Sequence, residues 1–256
     1  MSMPAIHLDE ARAPEGMRLY AIGDVHGRLD LLTAMHRAIA AEIGRDRPAD
    51  WRIVHLGDYI DRGPQSKGVL DFLIAARERD PRNVVLAGNH ELGLLEFLAA
   101  PSASGLFARY GGVETARSYG VDLLSGAIEE GHRALAAALP QSHVAFLKSL
   151  AFSFAAGDFF FCHAGIRPGL PLDRQEPRDL VWIRDEFLAH AGLYEKVVVH
   201  GHTPGEKADV RPNRINLDSY ACGTGRLSAL AADGGAKRIL EATVDAVAQR
   251  IAATTP

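Results

Sequence analysis

Three short apolar runs in the first hundred residues each end in a glycine and a polar residue. Apolar positions at helical spacing follow each of them. Arg18–Ile22 ends in Gly23-Asp24 and precedes Leu29–Ile43; Ile53–Leu56 ends in Gly57-Asp58 and precedes a helical pattern from Lys67 to Arg79. Asn83–Ala87 ends in Gly88-Asn89 and precedes Glu91–Ala99. Short buried strands alternating with helices predict a largely parallel sheet with right-handed crossovers. The polar residues then fall just past the strand ends, where open α/β sheets place their ligands.

From 101 to 150 the pattern changes to an alanine-rich, mostly helical stretch broken by Gly111-Gly112, Gly120, Gly126, Gly131 and Pro140. Ala151–Ala156 and Phe159–Cys162 flank Gly157-Asp158 as a hairpin, and a helix is predicted over Asp179–Ala189. Later strands are predicted at Lys196–Val199, Arg214–Leu217, Arg226–Ala231 and Lys237–Thr243. No linker divides the chain, so 1–256 reads as one α/β domain with an irregular lead-in over 1–16 and a helical insertion over 101–150. The tail, 246–256, reads as either a docked helix or a frayed end.

Composition narrows the class. The 256 residues carry 28 Lys+Arg against 32 Asp+Glu, a net charge of −4, which gives no support to broad nucleic-acid binding. Hydrophobic residues at 47% exclude intrinsic disorder. No apolar run approaches the roughly 20 residues that span a bilayer. The N-terminus lacks a basic-then-apolar leader, so the expected location is cytoplasmic, with no membrane partner. Two cysteines, Cys162 and Cys222, make neither a disulfide framework nor a thiolate zinc site; Cys162 reads as a buried, reduced core residue.

The polar residues at the strand ends carry the candidate chemistry. Asp24 and His26 lie two apart, so in an extended segment they point the same way, although Asp-x-His also occurs in ordinary solvated loops. Gly57-Asp58-Tyr59-Ile60-Asp61-Arg62-Gly63 alone reads as a surface turn with a local ion pair. Gly88-Asn89-His90-Glu91 alone reads as a helix capped by Asn89. Three successive strand ends nevertheless bring Asp24, His26, Asp58, Asn89 and His90 to one rim of one sheet. Oxygen and imidazole donors without thiolate suit Mn, Fe or Zn, and His163 and His202 offer two further nitrogens.

The ordered set GDVHG, GDYIDRG, GNHE, HAG and GHT, from Gly23 to Thr203, resembles the calcineurin-like metallophosphoesterases. Within them it is similar to the phosphoprotein phosphatase (PPP) family, most of all its phage and bacterial serine/threonine phosphatases. The resemblance implies a two-sheet β-sandwich flanked by helices, here with the helical insertion. It implies two divalent metal ions, manganese first with iron or zinc as alternatives. Asp24 and His26 would hold one, Asn89, His163 and His202 the other, and Asp58 would bridge them. The implied reaction is phosphomonoester hydrolysis by in-line attack of a metal-bridging hydroxide, on phosphoserine and phosphothreonine of a protein or on a small phosphoester. His90 would protonate the leaving group, Asp61 would orient that imidazole, and Arg62 would bind phosphoryl oxygens.

The chain departs from the family pattern at Ala87, where many members carry a second phosphate-binding arginine before GNHE. Arg184 matches another phosphate-binding arginine of the family, and an exposed helical arginine is an equal reading; Arg226 falls near a loop bordering the family site. His200 reads as a ligand-supporting or a partly buried strand residue, and His55 as core. His7, His36, His132, His143 and His190 read as surface or helix positions, and Trp51 and Trp182 as core anchors. Two other functions stand beside the first. A symmetrical dinucleoside tetraphosphate hydrolase, or a phosphoesterase of broad specificity, is favoured by Ala87. It is disfavoured by Asp61, which those relatives typically lack. A non-catalytic binding module on the same scaffold is disfavoured because every candidate ligand and His90 are present.

Overall fold

The computed structural model describes residues 5–247, so part of the predicted lead-in (1–4) and of the tail (248–256) lies outside the described residues. The strands are β1 Met17–Ile22, β2 Asp50–His55, β3 Asn83–Val85, β4 Ser153–Ala156, β5 Phe159–Cys162, β6 Val197–His200, β7 Asp209–Val210, β8 Arg214–Asn216, β9 Arg226–Asp233 and β10 Ala236–Thr243. The helices are α1 Leu29–Asp46, α2 Ser66–Arg79, α3 Asn89–Ala99, α4 Leu106–Arg109, α5 Gly112–Ser118, α6 Ile128–Ala138, α7 Gln141–Lys148, α8 Pro177–Trp182, α9 Asp185–Leu188 and α10 Ala221–Thr224.

Two five-stranded sheets result, in the orders β10-β9-β1-β2-β3 and β4-β5-β6-β8-β7. Both are mixed rather than largely parallel. β1, β2 and β3 run parallel in the first sheet, with β9 and β10 added antiparallel; β5, β6 and β8 run parallel in the second, with β4 and β7 antiparallel at its edges. The antiparallel strands join through short connections such as Gly157-Asp158, where Gly157 adopts φ +56.

Strand alternation sorts side chains into three apolar layers. Leu19, Ala21, Val54, Phe159, Phe161, Val197 and Val199 pack between the sheets. Their neighbours Tyr20, Ile22 and Ile53 face outward onto α1 and α2. Phe160, Cys162 and Val198 face the other way onto Leu180 of α8 and Phe187 of α9. Because each sheet is covered on both faces, its central strands read as continuous apolar runs. Each fully buried Leu or Phe contributes roughly 1.5–3 kcal/mol. The lead-in is irregular but docked: Leu8, Ala11 and Ala13 enter the layer between the sheets, and Ile6 pairs with Tyr194.

Two local expectations need correction, and a third position is more buried than its helix suggests. The helix predicted over Asp179–Ala189 is split into α8 and α9, because Ile183 (φ −60, ψ 141) and Arg184 (φ −134, ψ −91) both leave helical geometry, and Arg184 turns its guanidinium toward His202. His143 is a helix residue, in α7, and is buried there, held between the Tyr119 hydroxyl at 2.6 Å and the Asp71 carboxylate at 2.9 Å. Trp182 is substantially exposed rather than a core anchor, its ring set edge-on to His202.

Candidate metal centre

The parallel strands of both sheets deliver their C-terminal ends to one place. β1 leads to Asp24 and His26, β2 to Asp58, Asp61 and Arg62, and β3 to Asn89 and His90. β5 leads to His163, β6 to His202 and β8 to Asp218. Asp24, His26, Asp58, Asp61, Asn89, His90, His163 and His202 are all buried.

The backbone there is held in uncommon conformations. Non-glycine residues with φ in the left-handed region are His26, Arg47, Asp58, Asp61, Arg62, His202 and Tyr220 among those described. Five of these seven were singled out from the strand-end motifs. Such conformations cost of order 1–3 kcal/mol each and persist where the surroundings over-determine them, as functional sites do. Two glycines make room for carboxylates: a Cβ at Gly201 would stand 1.9 Å from Asp24 Oδ1, and one at Gly88 would stand 2.3 Å from Asp58 Oδ1.

Hydrogen bonds assign the imidazole tautomers. His26 Nδ1 faces the Ile60 carbonyl at 2.8 Å and His163 Nδ1 faces the Leu56 carbonyl at 3.0 Å. A carbonyl can only accept, so both Nδ1 atoms carry the proton and both Nε2 atoms present lone pairs. His26 Nε2 is buried without a partner, 3.5 Å from Asp58 Oδ2. His163 Nε2 lies 3.3 Å from Asp58 Oδ1 and 2.8 Å from Asn89 Oδ1, and His202 Nδ1 lies 2.9 Å from that same amide oxygen. At His26 and His163, lone pairs thus converge on acceptor oxygens in the protein interior, the donor set that a cation resolves, whereas His202, whose Nε2 accepts from Arg184, donates its Nδ1–H to Asn89 Oδ1. Two ligand groups emerge, His26–Asp58–His90 and Asp58–His163–His202, with Asp58 common to both. Asp24 stands beside them, its two oxygens accepting from the His202 backbone N–H at 3.3 and 3.1 Å.

Electrostatics fit the same picture. Burial works to raise Asp58, yet His163 and His90 hold it well below the usual carboxylate range. Asp24 is raised well above that range by burial, with the charges of Asp218 and Asp58 adding to it. Burial pushes His26 down to about 3 and His202 down to about 2, so both are neutral donors.

The acid–base group faces the same Asp58 oxygen as His26. His90 Nδ1 is 2.6 Å from Asp61 Oδ2, and its Nε2 is 3.8 Å from Asp58 Oδ2. Burial lowers the pKa of His90, but Asp58 and Asp61 outweigh it and the net shift is upward. Arg62 Nη2 reaches His90 Nε2 at 3.1 Å. Arg184 is exposed and donates to His202 Nε2 at 3.0 Å and to the His202 carbonyl at 3.1 Å. Arg226 pairs instead with Glu241. His200 is buried with Nδ1 at 3.0 Å from the Gly201 carbonyl and joins neither group.

Sequence reasoning missed three residues. Glu91 caps its own helix through the Gly88 N–H at 2.9 Å and also accepts from the N–H groups of Asp58 and Tyr59 at 2.9 and 2.8 Å. It thereby fixes the loop that carries Asp58, and Gly88 rather than Asn89 is the capping position. Asp218 is buried at the end of β8 and accepts the Tyr220 N–H; its signal was the same apolar-run-then-acid pattern, Ile215-Asn216-Leu217-Asp218. Thr115 of α5 donates to Asp61 Oδ1 at 2.7 Å, which ties the helical segment to the acid–base pair.

A family model described as calcineurin-like phosphoesterase matches residues 17–240. A symmetrical bis(5'-nucleosyl)-tetraphosphatase of Methylococcus capsulatus is 28% identical over 74% of this chain and 53% of its own length. A Caenorhabditis elegans protein named as a candidate serine/threonine-protein phosphatase is 33% identical over 47% of this chain and 28% of its own length. The chain therefore spans about half, or less, of these curated relatives. The solved structure of a candidate diadenosine tetraphosphatase superposes with a TM-score of 0.63 at 22% identity, covering 91% of this chain and 99% of that one, a likeness of fold.

Proposed function

Because the chain belongs to the calcineurin-like phosphoesterase family, we propose that it is a dimetal phosphomonoester hydrolase acting on phosphoserine and phosphothreonine in proteins. The observation that carries this reading is the Asp61–His90 pair beside Asp58, with Arg62 at the same imidazole. Two divalent ions, when bound, supply Lewis acidity and lower the pKa of the water they coordinate. Asp24, His26, Asp58, Asn89, His163 and His202 would hold them, with Asp58 shared, and their oxygen and nitrogen donors suit manganese.

The chain's own residues do the rest. Asp61 can only accept when ionised, so it keeps the His90 proton on Nδ1 and leaves Nε2 to exchange a proton with substrate. Arg62 faces the same space as Nε2, so one phosphoryl oxygen and the leaving oxygen are bound side by side. A guanidinium offers two donors in a plane that matches phosphate oxygens. The alkoxide of serine or threonine is a poor leaving group and gains most from a proton donor. A nucleotide phosphate leaves as a stabilised anion and needs that donor less.

A specific observation favours a second reading, hydrolysis of symmetrical dinucleoside tetraphosphates. Ala87 is buried and apolar where a second phosphate-binding arginine is expected, and the Methylococcus relative carries that activity in its name. Comparing kcat/KM on a phosphopeptide panel and on dinucleoside polyphosphates, with Mn²⁺ supplied, tests the proposal. Higher kcat/KM on phosphopeptides supports it; a preference for dinucleoside polyphosphates replaces it with the second reading.

A further inference from the structure

A groove of about 590 Å³ lies between α1 and α2, over the start of β2. β2 runs from Asp50 toward the Asp58 loop, so this groove sits at the opposite end of the strand from the metal centre. Its volume falls within the range of small-molecule sites.

The walls divide by chemistry. Trp51 and Phe72 supply half-buried aromatic surface. Arg37 and Arg79 are exposed at the rim and make no side-chain hydrogen bond or salt bridge among the described residues. The carboxylate of Asp80 also lines the groove, and it is paired with neighbouring Arg82, which stacks on Trp51. Two unpaired guanidiniums beside aromatic surface attract an anion whose body is apolar.

Lining His36 and Asn83 add directional groups, His36 through its pairing with His55 behind it. His55 Nδ1 faces the Val84 carbonyl at 3.1 Å, so it carries the proton and leaves His55 Nε2 as an acceptor. His36 Nε2, 2.8 Å from that atom, must be the donor. The relay leaves His36 Nδ1 with a lone pair and no partner among the described residues, on a side chain that lines the groove. Asn83 also lines it, and its Oδ1 is a buried acceptor without a partner, while its amide N–H groups go to the carbonyls of Ala76 and Asp80. The groove therefore presents cations at the rim, aromatic walls, and acceptors that call for a ligand N–H or O–H.

We propose that this groove binds a small soluble anion with an aromatic or aliphatic ring body and a hydrogen-bond donor. Charge complementarity to Arg37 and Arg79 commits the occupant to an acid, and the acceptor of His36 commits it to a donor. The site is independent of the metal centre.

The test uses 8-anilinonaphthalene-1-sulfonate, which has aromatic rings, a sulfonate and an N–H. Calorimetric titration of the full chain, with Trp51 emission followed in parallel, is compared among the wild type, Arg37→Glu/Arg79→Glu and Arg37→Lys/Arg79→Lys. Saturable binding of one probe per chain is expected, weakened roughly tenfold or more by the glutamates and largely kept by the lysines. Hydrolysis of an aryl phosphate should be unchanged in both variants. Absence of saturation, or an affinity indifferent to the glutamates, overturns the proposal.

Discussion

Asp61 Oδ2 lies 2.6 Å from His90 Nδ1, while Asp61 Oδ1 accepts from the Thr115 hydroxyl at 2.7 Å. One carboxylate is thus held by the segment between α3 and β4 and in turn holds the imidazole. Its backbone N–H is also bound, by Thr115 and Ser66 at 2.8 and 3.1 Å. The imidazole orientation is therefore fixed before any substrate arrives.

His90→Asn should lower kcat by roughly 10²–10⁴-fold with metal content retained, the usual range for lost acid–base catalysis. The loss should be greater on an alkyl phosphate than on an aryl phosphate, because the aryl oxide leaves without a proton. Thr115→Val should produce a smaller loss with the same leaving-group trend. An equal loss on both substrates would remove the acid role from His90.

Gly201→Ala should lower metal content although no ligand is changed. Its new Cβ would stand 1.9 Å from Asp24 Oδ1, and the carboxylate must move to relieve the overlap. Asp58→Asn should lower metal content further, since Asp58 belongs to both ligand groups. Elemental analysis of the purified variants checks this order.

Arg62 and Arg184 should separate in kinetics. Arg62 is half-buried beside His90 Nε2, whereas Arg184 is exposed and occupied by His202. Arg62→Ala should lose roughly 10- to 100-fold in kcat/KM, the worth of one charge-assisted hydrogen bond, and Arg184→Ala less. The reverse order would contradict the assignment of Arg62 as the main phosphoryl contact.

The His36–His55 pair sets an acid limit on stability away from the metal centre. Burial pushes His36 down to about 3 and His55 down to about 4. Both folded values lie below the ordinary value near 6.5 for histidine, so folding favours the neutral rings. That contribution is fully present above about pH 6.5 and is lost as the pH falls toward 4 and then 3. Urea midpoints should decline over this window, and His36→Leu/His55→Leu should flatten the decline. An unchanged slope in the double variant would rule the pair out as a source.

The strand-end motifs were legible because each couples a buried apolar run to a glycine at a position with no room for a Cβ. Phe159–Cys162 shows why the pairing of two sheets was not: all four residues are buried, so alternation vanishes from the pattern although the faces differ. The break at Arg184 was hidden for a related reason. Apolar spacing continues through Ile183 although its backbone is already extended, and the Arg184 contact with His202, eighteen positions away, has no trace in that spacing. Asp218 repeats the strand-end pattern but without a glycine before the acid, and Thr115 was invisible because a lone hydroxyl acquires meaning from the partner it meets in space. Asp61 and Thr115 are 54 residues apart. His143 became a core residue through Tyr119 and Asp71, which its own helix does not reveal.

The central claim is that two ions held around Asp58 make hydrolysis possible. The direct measurement strips the protein by exhaustive chelation, then follows bound metal and aryl phosphate hydrolysis together as Mn²⁺ is restored. Negligible turnover is expected when stripped, with activity returning as occupancy approaches two ions per chain and no comparable recovery for Asp58→Asn. Full turnover by the metal-free protein would contradict it.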